Sequence, residues 1–246
     1  MTRSLVHFER VSSTNDVAKR IAALGHVGAF AVAAGEQTNG RGRRGREWHS
    51  APGGAWVSIA VPWTADMAHT PLAVRLAVAE LVEETIERDA HIKWPNDVLI
   101  GGSKVAGILC ERDQSVAPNR SIRPELVVGI GVNVNNPLPE IERGLVPASL
   151  SSLVGRPVEL EPFVRSLTDR VAKTLQPDGL SAEQVEAINA RLAYRDEVVT
   201  VHAEGRDDWW GVLRRVAADG ALVVERDGVD EQVRSGEATL RAGWTG

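Results

Sequence analysis

The run Gly40-Arg41-Gly42-Arg43-Arg44-Gly45-Arg46 places four guanidinium groups on a glycine-rich backbone. Arginine forks pair bidentately with carboxylates and phosphates, and glycine lets an anion come close to backbone N–H groups. The chemistry on offer is anion binding, phosphate above all. A solvated basic loop or a nucleic-acid patch has the same composition. Neither Gly35-Glu36-Gln37 nor Trp48 adds basic charge, and no second basic cluster follows that would track several phosphates of a nucleic acid.

In Lys93-Trp94-Pro95-Asn96-Asp97 the proline ends one element and a strand begins, so an amide and a carboxylate stand at a strand mouth, where polar groups often meet ligands. A structural turn accounts for them equally well. Lys104 puts one ammonium ahead of the apolar run Val105-Ala106-Gly107-Ile108-Leu109, and a buried ammonium needs an anionic partner. Gly129-Ile130-Gly131-Val132-Asn133-Val134-Asn135 alternates glycine with apolar residues, the mark of close approach by a ligand or another backbone, or of a tightly packed core strand. The single cysteine, Cys110, allows neither an internal disulfide nor a cysteine zinc site and reads as a core thiol. No G-x-G-x-x-G opens a helix and no Gly-Lys-Ser/Thr occurs, so ATP, if used, is held in another way.

These groups need a frame. Leu5 to Val11 reads as a strand, and Ser13 or Thr14 can cap a helix with Val17, Ile21 and Leu24 at helical spacing and Gly25 as its stop. Phe30 to Ala34 and Trp56 to Val61 read as strands on either side of the arginine loop. Thr70-Pro71 reads as an N-cap followed by proline at the first helical position, opening a helix to about Arg88. Asp97 to Ile100 and Lys104 to Cys110 are strands joined by a Gly101-Gly102-Ser103 hairpin, and Leu126 to Val134 adds another strand. Residues 162–175 and 181–193 read as helices parted at Pro177-Asp178-Gly179. From Glu197 onward, Val198 to Val201 and Ala221 to Val224 alternate with Asp219-Gly220 and Asp227-Gly228, which predicts a small all-β barrel of about 50 residues.

The bulk properties agree. With 246 residues, 43% hydrophobic and 25% charged, the chain has globular composition and enough length for a large core plus a small module. Residues 1–195 hold 22 basic and 22 acidic side chains, while 196–246 hold 6 and 11, so the net charge of −5 lies in the tail. That shift marks 196–246 as a module apart from 1–195, and the sign argues against a broad nucleic-acid footprint. No apolar run approaches the roughly 20 residues of a membrane helix, and the start lacks a signal segment, so a cytoplasmic protein with no membrane partner is expected.

Five blocks, Ser13-Thr14-Asn15, Glu36-Gln37 with the arginine loop and Trp48, Lys93 to Asp97, Lys104 with Gly107-Ile108-Leu109, and Gly129 to Asn133, resemble the bacterial biotin–protein ligases in content, order and spacing. The resemblance runs over almost the whole chain and includes Ser235-Gly236-Glu237 in the tail. It implies an α+β fold, with a mixed, largely antiparallel sheet and flanking helices as in the class II synthetase core, followed by an SH3-like barrel. Larger relatives begin with a winged-helix DNA-binding domain; this sequence reaches Ser13 almost at once, so a monofunctional enzyme with no nucleic-acid partner is expected. The implied reaction forms biotinyl-5'-AMP from biotin and ATP with Mg2+. It then moves biotin to a lysine of a biotin carboxyl carrier domain of acetyl-CoA or a related acyl-CoA carboxylase, the enzyme being a monomer or weak homodimer.

By the same resemblance, Ser13, Thr14, Asn15, Gln37, Arg41, Gly42, Arg43, Lys104 and Gly107 would bind biotin. Hydroxyls and an amide suit the donors and acceptors of its ureido group. Arg41, Arg43, Arg44, Trp48, Asn96, Asp97, Lys104 and Asn133 would hold the nucleotide, with Asp97 also near Mg2+, and Lys104 and Arg43 would be catalytic. Pro147-Ala148-Ser149-Leu150, where the nucleotide wall would end, contains no aromatic to stack on adenine. Two rival readings stand beside this one: a lipoate–protein ligase, whose narrower pocket lacks ureido partners, and a nucleic-acid-binding module built on Arg41 to Arg46.

Overall fold

The computed structural model describes residues 4–24, 28–63, 69–116, 122–140, 144–175, 179–203, 207–234 and 238–242. Strands β1 (Ser4–Val11) and β2 (Phe30–Gln37) pair in parallel, joined through helix α1 (Thr14–Ala23). Strands β3 (Ala55–Pro62), β4 (Ala90–Lys93), β5 (Asp97–Ile100), β6 (Ser103–Val116) and β7 (Ile122–Val132) extend the sheet antiparallel in the order β1-β2-β3-β7-β6-β5-β4. The fold is therefore α+β with one mixed, largely antiparallel sheet, as expected.

The period of two along each strand sorts the side chains to two faces. Phe30, Val32, Ala60 and Val127 pack with Ala18 and Ala22 of α1 on one face. Ala31, Ala33, Val57, Ile59, Val128 and Ile130 join the larger core on the other, where α2 (Thr70–Ile86) lies. Around α2 stand α3 (Leu150–Val154), α4 (Leu160–Thr174) and α5 (Ala182–Ala190). With sheet on one side and helices on the other, α2 is apolar almost all round, and Leu72, Val74, Leu76, Val78, Leu81 and Val82 are all buried. α4 and α5 fall at the two predicted helical segments with ends shifted by a few residues.

The start of α2 differs from expectation by one residue. The His69 carbonyl accepts from the Leu72 and Ala73 N–H groups, so His69 is the cap. Thr70 lies inside the first turn with its hydroxyl buried and without a partner among the described residues. The helix stops at Ile86, where Glu87 turns left-handed. The β5–β6 hairpin has positive φ at both Gly101 and Gly102, the pair that a type I′ turn requires. A cis Trp94–Pro95 bond lies in the turn from β4 to β5.

Strands β8 (Val198–Ala203), β9 (Trp209–Val216), β10 (Leu222–Arg226), β11 (Val229–Val233) and β12 (Ala238–Ala242) form a second, antiparallel sheet in the order β11-β10-β9-β8-β12. Asn189 of α5 ties this sheet to the first body, donating to the Val216 carbonyl and accepting from its N–H. Gly25, Pro177-Asp178 and Ser235-Gly236-Glu237 lie outside the described residues. Among those described, no helix is long and apolar enough to cross a membrane.

Candidate active site

The glycines of β6 and β7 meet in register. Gly107 pairs with Gly131, which also pairs with Trp56 of β3, while Gly129 pairs with Leu109 and Ser58. A Cβ on Gly131 would stand 2.4 Å from the indole nitrogen of Trp48, and one on Gly107 2.8 Å from the same ring. A Cβ on Gly129 would stand 2.4 Å from Oδ1 of Asn15. Close approach is therefore why glycine alternates here, and the floor it leaves opens into a cleft of about 730 Å3, solvent at the mouth included.

One end of the cleft is neutral and fully knitted. Gln37 Oε1 accepts from the Thr14 N–H at 2.8 Å and lies 3.0 Å from the Thr14 hydroxyl, while Gln37 Nε2 donates to Ser50 at 2.8 Å. Ser58 Oγ lies 2.5 Å from Asn15 Oδ1 and 2.7 Å from the Thr14 hydroxyl. Because that amide oxygen only accepts, Ser58 gives its proton to Asn15, and the amide nitrogen of Asn15 donates to Glu111 at 2.6 Å. The parallel β1–β2 pair makes this possible, since it sets Gln37 at the end of β2 beside the start of α1.

The other end is cationic. Lys104 pairs with Asp97 at 2.6 Å, and its ammonium sits 4.9 Å from the centre of the Trp48 ring. Its backbone is held on both sides by the segment 146–148: Lys104 N–H donates to Val146 and its carbonyl accepts from Ala148. Arg43 donates to Asn96 Oδ1 at 3.4 Å; burial, helped by Arg44 and Arg46 nearby, pushes its pKa down. Asn96 also donates to Asp97 at 3.0 Å. Trp48 meets Trp56 edge to face, but Trp56 donates to Ala51 whereas the buried Trp48 Nε1 has no partner among the described residues.

Arg41 is bound in place. Both its terminal nitrogens donate to Asp16, each at 2.6 Å, and Glu111 lies 3.8 Å away. This bidentate pair raises the Arg41 pKa and lowers that of Asp16.

Of the residues singled out from the sequence, Ser13, Thr14, Asn15, Gln37, Arg41 and Gly42 line the cleft, as do Arg43, Trp48, Asn96, Lys104 and Gly107. Three do not. Arg44 is exposed and faces a second cavity, Asp97 sits behind Lys104, and Asn133 is buried beyond the end of β7, accepting from Asn136. The carboxylate of Asp97, expected near Mg2+, is engaged by Lys104 and Asn96.

The biotin/lipoate A/B protein ligase family model matches residues 7–133, more than half of the chain and the span that supplies every cleft residue named above. The chain belongs to this family. Members of it similar to this chain include the biotin–[acetyl-CoA-carboxylase] ligase of Paracoccus denitrificans, 37% identical over 226 residues that cover 87% of this chain and 91% of that protein. The bifunctional ligase/repressor BirA of Bacillus subtilis is 36% identical over 166 residues, 65% of this chain and 50% of BirA, so the match spans about half of that relative's length. The solved biotin protein ligase from Aquifex aeolicus, in complex with biotin and ATP, superposes with a TM-score of 0.85 at 27% identity, over 98% of this chain and 100% of that one.

Sequence reasoning passed over Ser58, Asp16, Glu111 and Arg75. Two of them carried a signal: Ser58 is the one hydroxyl in Ala55 to Val61, and Arg75 the one charge between Leu72 and Ala79. Asp16 and Glu111 had none, because their partners are distant in sequence.

Proposed function

We propose that the chain is an ATP-dependent ligase that forms biotinyl-5'-AMP and transfers biotin to a lysine of a biotin carboxyl carrier domain. The observation that carries this reading is the two-ended cleft: mutually hydrogen-bonded hydroxyls and amides at one end, cations at the other, over a glycine floor. A cyclic urea can exchange hydrogen bonds with the first, and a carboxylate meeting a phosphate needs the second. Family membership, and relatives named as biotin ligases, support the same reading.

In the first step the biotin carboxylate attacks an anionic α-phosphate, so charges that neutralise both reactants lower the barrier. Lys104 supports this role because Asp97 fixes its position without hiding it from the cleft. Arg43 is the loop arginine suited to the α-phosphate. Arg41, matched by Asp16 and Glu111, suits tethering of the loop more than phosphate contact. Trp48, lying over Gly107 and Gly131, covers the floor that a planar base would take, and its indole face offers the stacking surface. Mg2+ would enter on the ATP phosphates as part of the substrate, with Asn96 and Asp97 the nearest candidate protein groups.

In the second step the neutral amine of an acceptor lysine attacks the anhydride carbonyl; the amide C–N bond forms as the C–O bond breaks and its electron pair leaves with AMP, the amine proton passes to solvent, and Lys104 stands beside the developing oxyanion. Cys110 is not suited to be a nucleophile here: burial pushes its thiol up to about 11, and no base bonds to it among the described residues. Residues 1–195 would carry this chemistry, with 196–246 as an accessory module, in a cytoplasmic monomer or weak homodimer.

The test is ATP–pyrophosphate exchange with purified protein, Mg2+ and either biotin or lipoate. Exchange with biotin alone is expected. Exchange with lipoate alone would move the substrate to the other branch of the family, and exchange with neither would reject the ligase reading.

A further inference from the structure

We infer that the second cavity, walled by the arginine loop, the start of α2 and the outer half of β6, is an anion subsite built around Arg75 that holds the pyrophosphate leaving ATP. This rests on the proposed adenylation. Arg75 is only 3% exposed, its Nε has no hydrogen-bond partner, and no ion pair reaches it among the described residues. The carboxylates nearby are engaged elsewhere: Asp97 by Lys104, and Glu111 by Lys19, Asn15 and Arg41. A buried charge left without a partner is unfavourable unless something meets it. Burial lowers the guanidinium pKa to about 10, so Arg75 stays charged at neutral pH.

Arg75 lines a cavity of about 890 Å3, open solvent included, together with Arg43 and Arg44, and with Pro71 from the first turn of the 17-residue α2. Arg43, Ile108 and Leu109 line the cleft as well, so the two spaces adjoin across the Arg43 side chain. Four guanidinium groups, Arg41, Arg43, Arg44 and Arg75, line this space against one carboxylate, Glu111, and that excess of positive charge suits a small, multiply charged anion. When a carboxylate oxygen of biotin bonds to the α-phosphorus, the bond from that phosphorus to the bridging oxygen breaks and its electron pair leaves with pyrophosphate. Departure from Arg43 toward Arg75 would carry that charge away from the new anhydride.

The experiment titrates the full chain with pyrophosphate, without ATP or biotin, by calorimetry at fixed ionic strength, with sulfate in parallel. Arg75→Gln is expected to weaken pyrophosphate binding by about tenfold or more, the loss of one charge-assisted bond, while Arg75→Lys recovers part of it and biotin affinity does not change in either. Removing an unpartnered buried charge should also leave the unliganded melting temperature level or higher, whereas a structural arginine would lower it. If Arg75→Gln does not fold, Arg75→Met reads the same quantity. Equal pyrophosphate affinity in the neutral variant, or wild-type binding no tighter than that of sulfate, would overturn the subsite. Arg75-dependent binding in a protein that exchanges with neither biotin nor lipoate would keep the subsite and remove the ligase reading.

Discussion

The two ends of the cleft solve opposite problems. At the Gln37 end the polar groups satisfy one another: Thr14, Asn15, Gln37, Ser50 and Ser58 form one connected network around the start of α1. At the Lys104 end the balance is left open. Lys104 pairs with Asp97, yet the buried Trp48 Nε1 has no partner among the described residues, nor has Arg75 Nε in the adjoining cavity. A network complete without ligand is preorganised and selects by shape and hydrogen-bond pattern. A cationic end with unmet donors is stabilised when an anion arrives, so it is the place where charge develops or departs during reaction.

The sharpest way to break this comparison is Lys104→Ala. If the cationic end drives adenylation, biotin-dependent ATP–pyrophosphate exchange should fall by about 100-fold or more while biotin binding changes little. Near wild-type exchange would show that Lys104 only anchors the 146–148 segment. Arg43→Ala should act later in the reaction: release of preformed adenylate, followed after ATP is removed, should quicken by roughly tenfold with biotin affinity held, because one charge-assisted bond to the phosphate is gone. An unchanged adenylate lifetime would take Arg43 out of that role.

The glycine floor separates the two ends by stability. Gly129→Ala pushes a Cβ against Asn15, whose amide is held by Ser58 and Glu111, so it should cost about 1–3 kcal/mol in denaturant unfolding. Gly131→Ala meets the Trp48 ring, whose nitrogen is bonded to nothing among the described residues, so fewer bonds hold this ring than hold the Asn15 amide. Its cost should stay below about 1 kcal/mol, with weaker nucleotide binding as the larger effect. Equal costs would mean that Trp48 is as fixed as Asn15.

Much of the frame was legible because its causes are local. Gly101-Gly102 can be read as a tight hairpin because glycine takes positive φ without strain, while Gly129-Ile130-Gly131 leaves close approach and a tightly packed core strand both open until the structure places Asn15 and Trp48 against it. What approached was not legible: the Trp48 ring and the Asn15 amide come from elsewhere in the chain. Arg41 looked like the twin of Arg43 in the same loop, and only the β1–α1–β2 crossover, which carries Asp16 to it across 25 residues, gives it a bidentate carboxylate partner. Asn133 accepts from Asn136 and Asp97 pairs with Lys104, contacts that their sequence blocks do not announce. Thr70 was taken for a cap because Thr-Pro is a common start; the cap lies one residue earlier because the His69 carbonyl is the one in reach.

The Asp16–Arg41 tether gives the smallest effect and the one whose sign is fixed by charge. The paired guanidinium holds the folded-state pKa of Asp16 below its ordinary 3.8, so the unfolded chain binds the proton more readily. The pair's stabilisation is therefore complete above about pH 5 and is lost as the pH falls through 3.8 toward the depressed folded value. Both side chains are about 30% exposed, so solvent weakens the pair and the effect is modest. Asp16→Asn should thus be slightly less stable than wild type at pH 7, with the gap closing as unfolding is followed from about pH 5 down to about pH 3. A gap that stays constant over that range would mean that hydrogen-bond shape, not the carboxylate's charge, holds Arg41. The loop would then keep its tether in acid, and the contrast between Arg41 and Arg43 would have to rest on position alone.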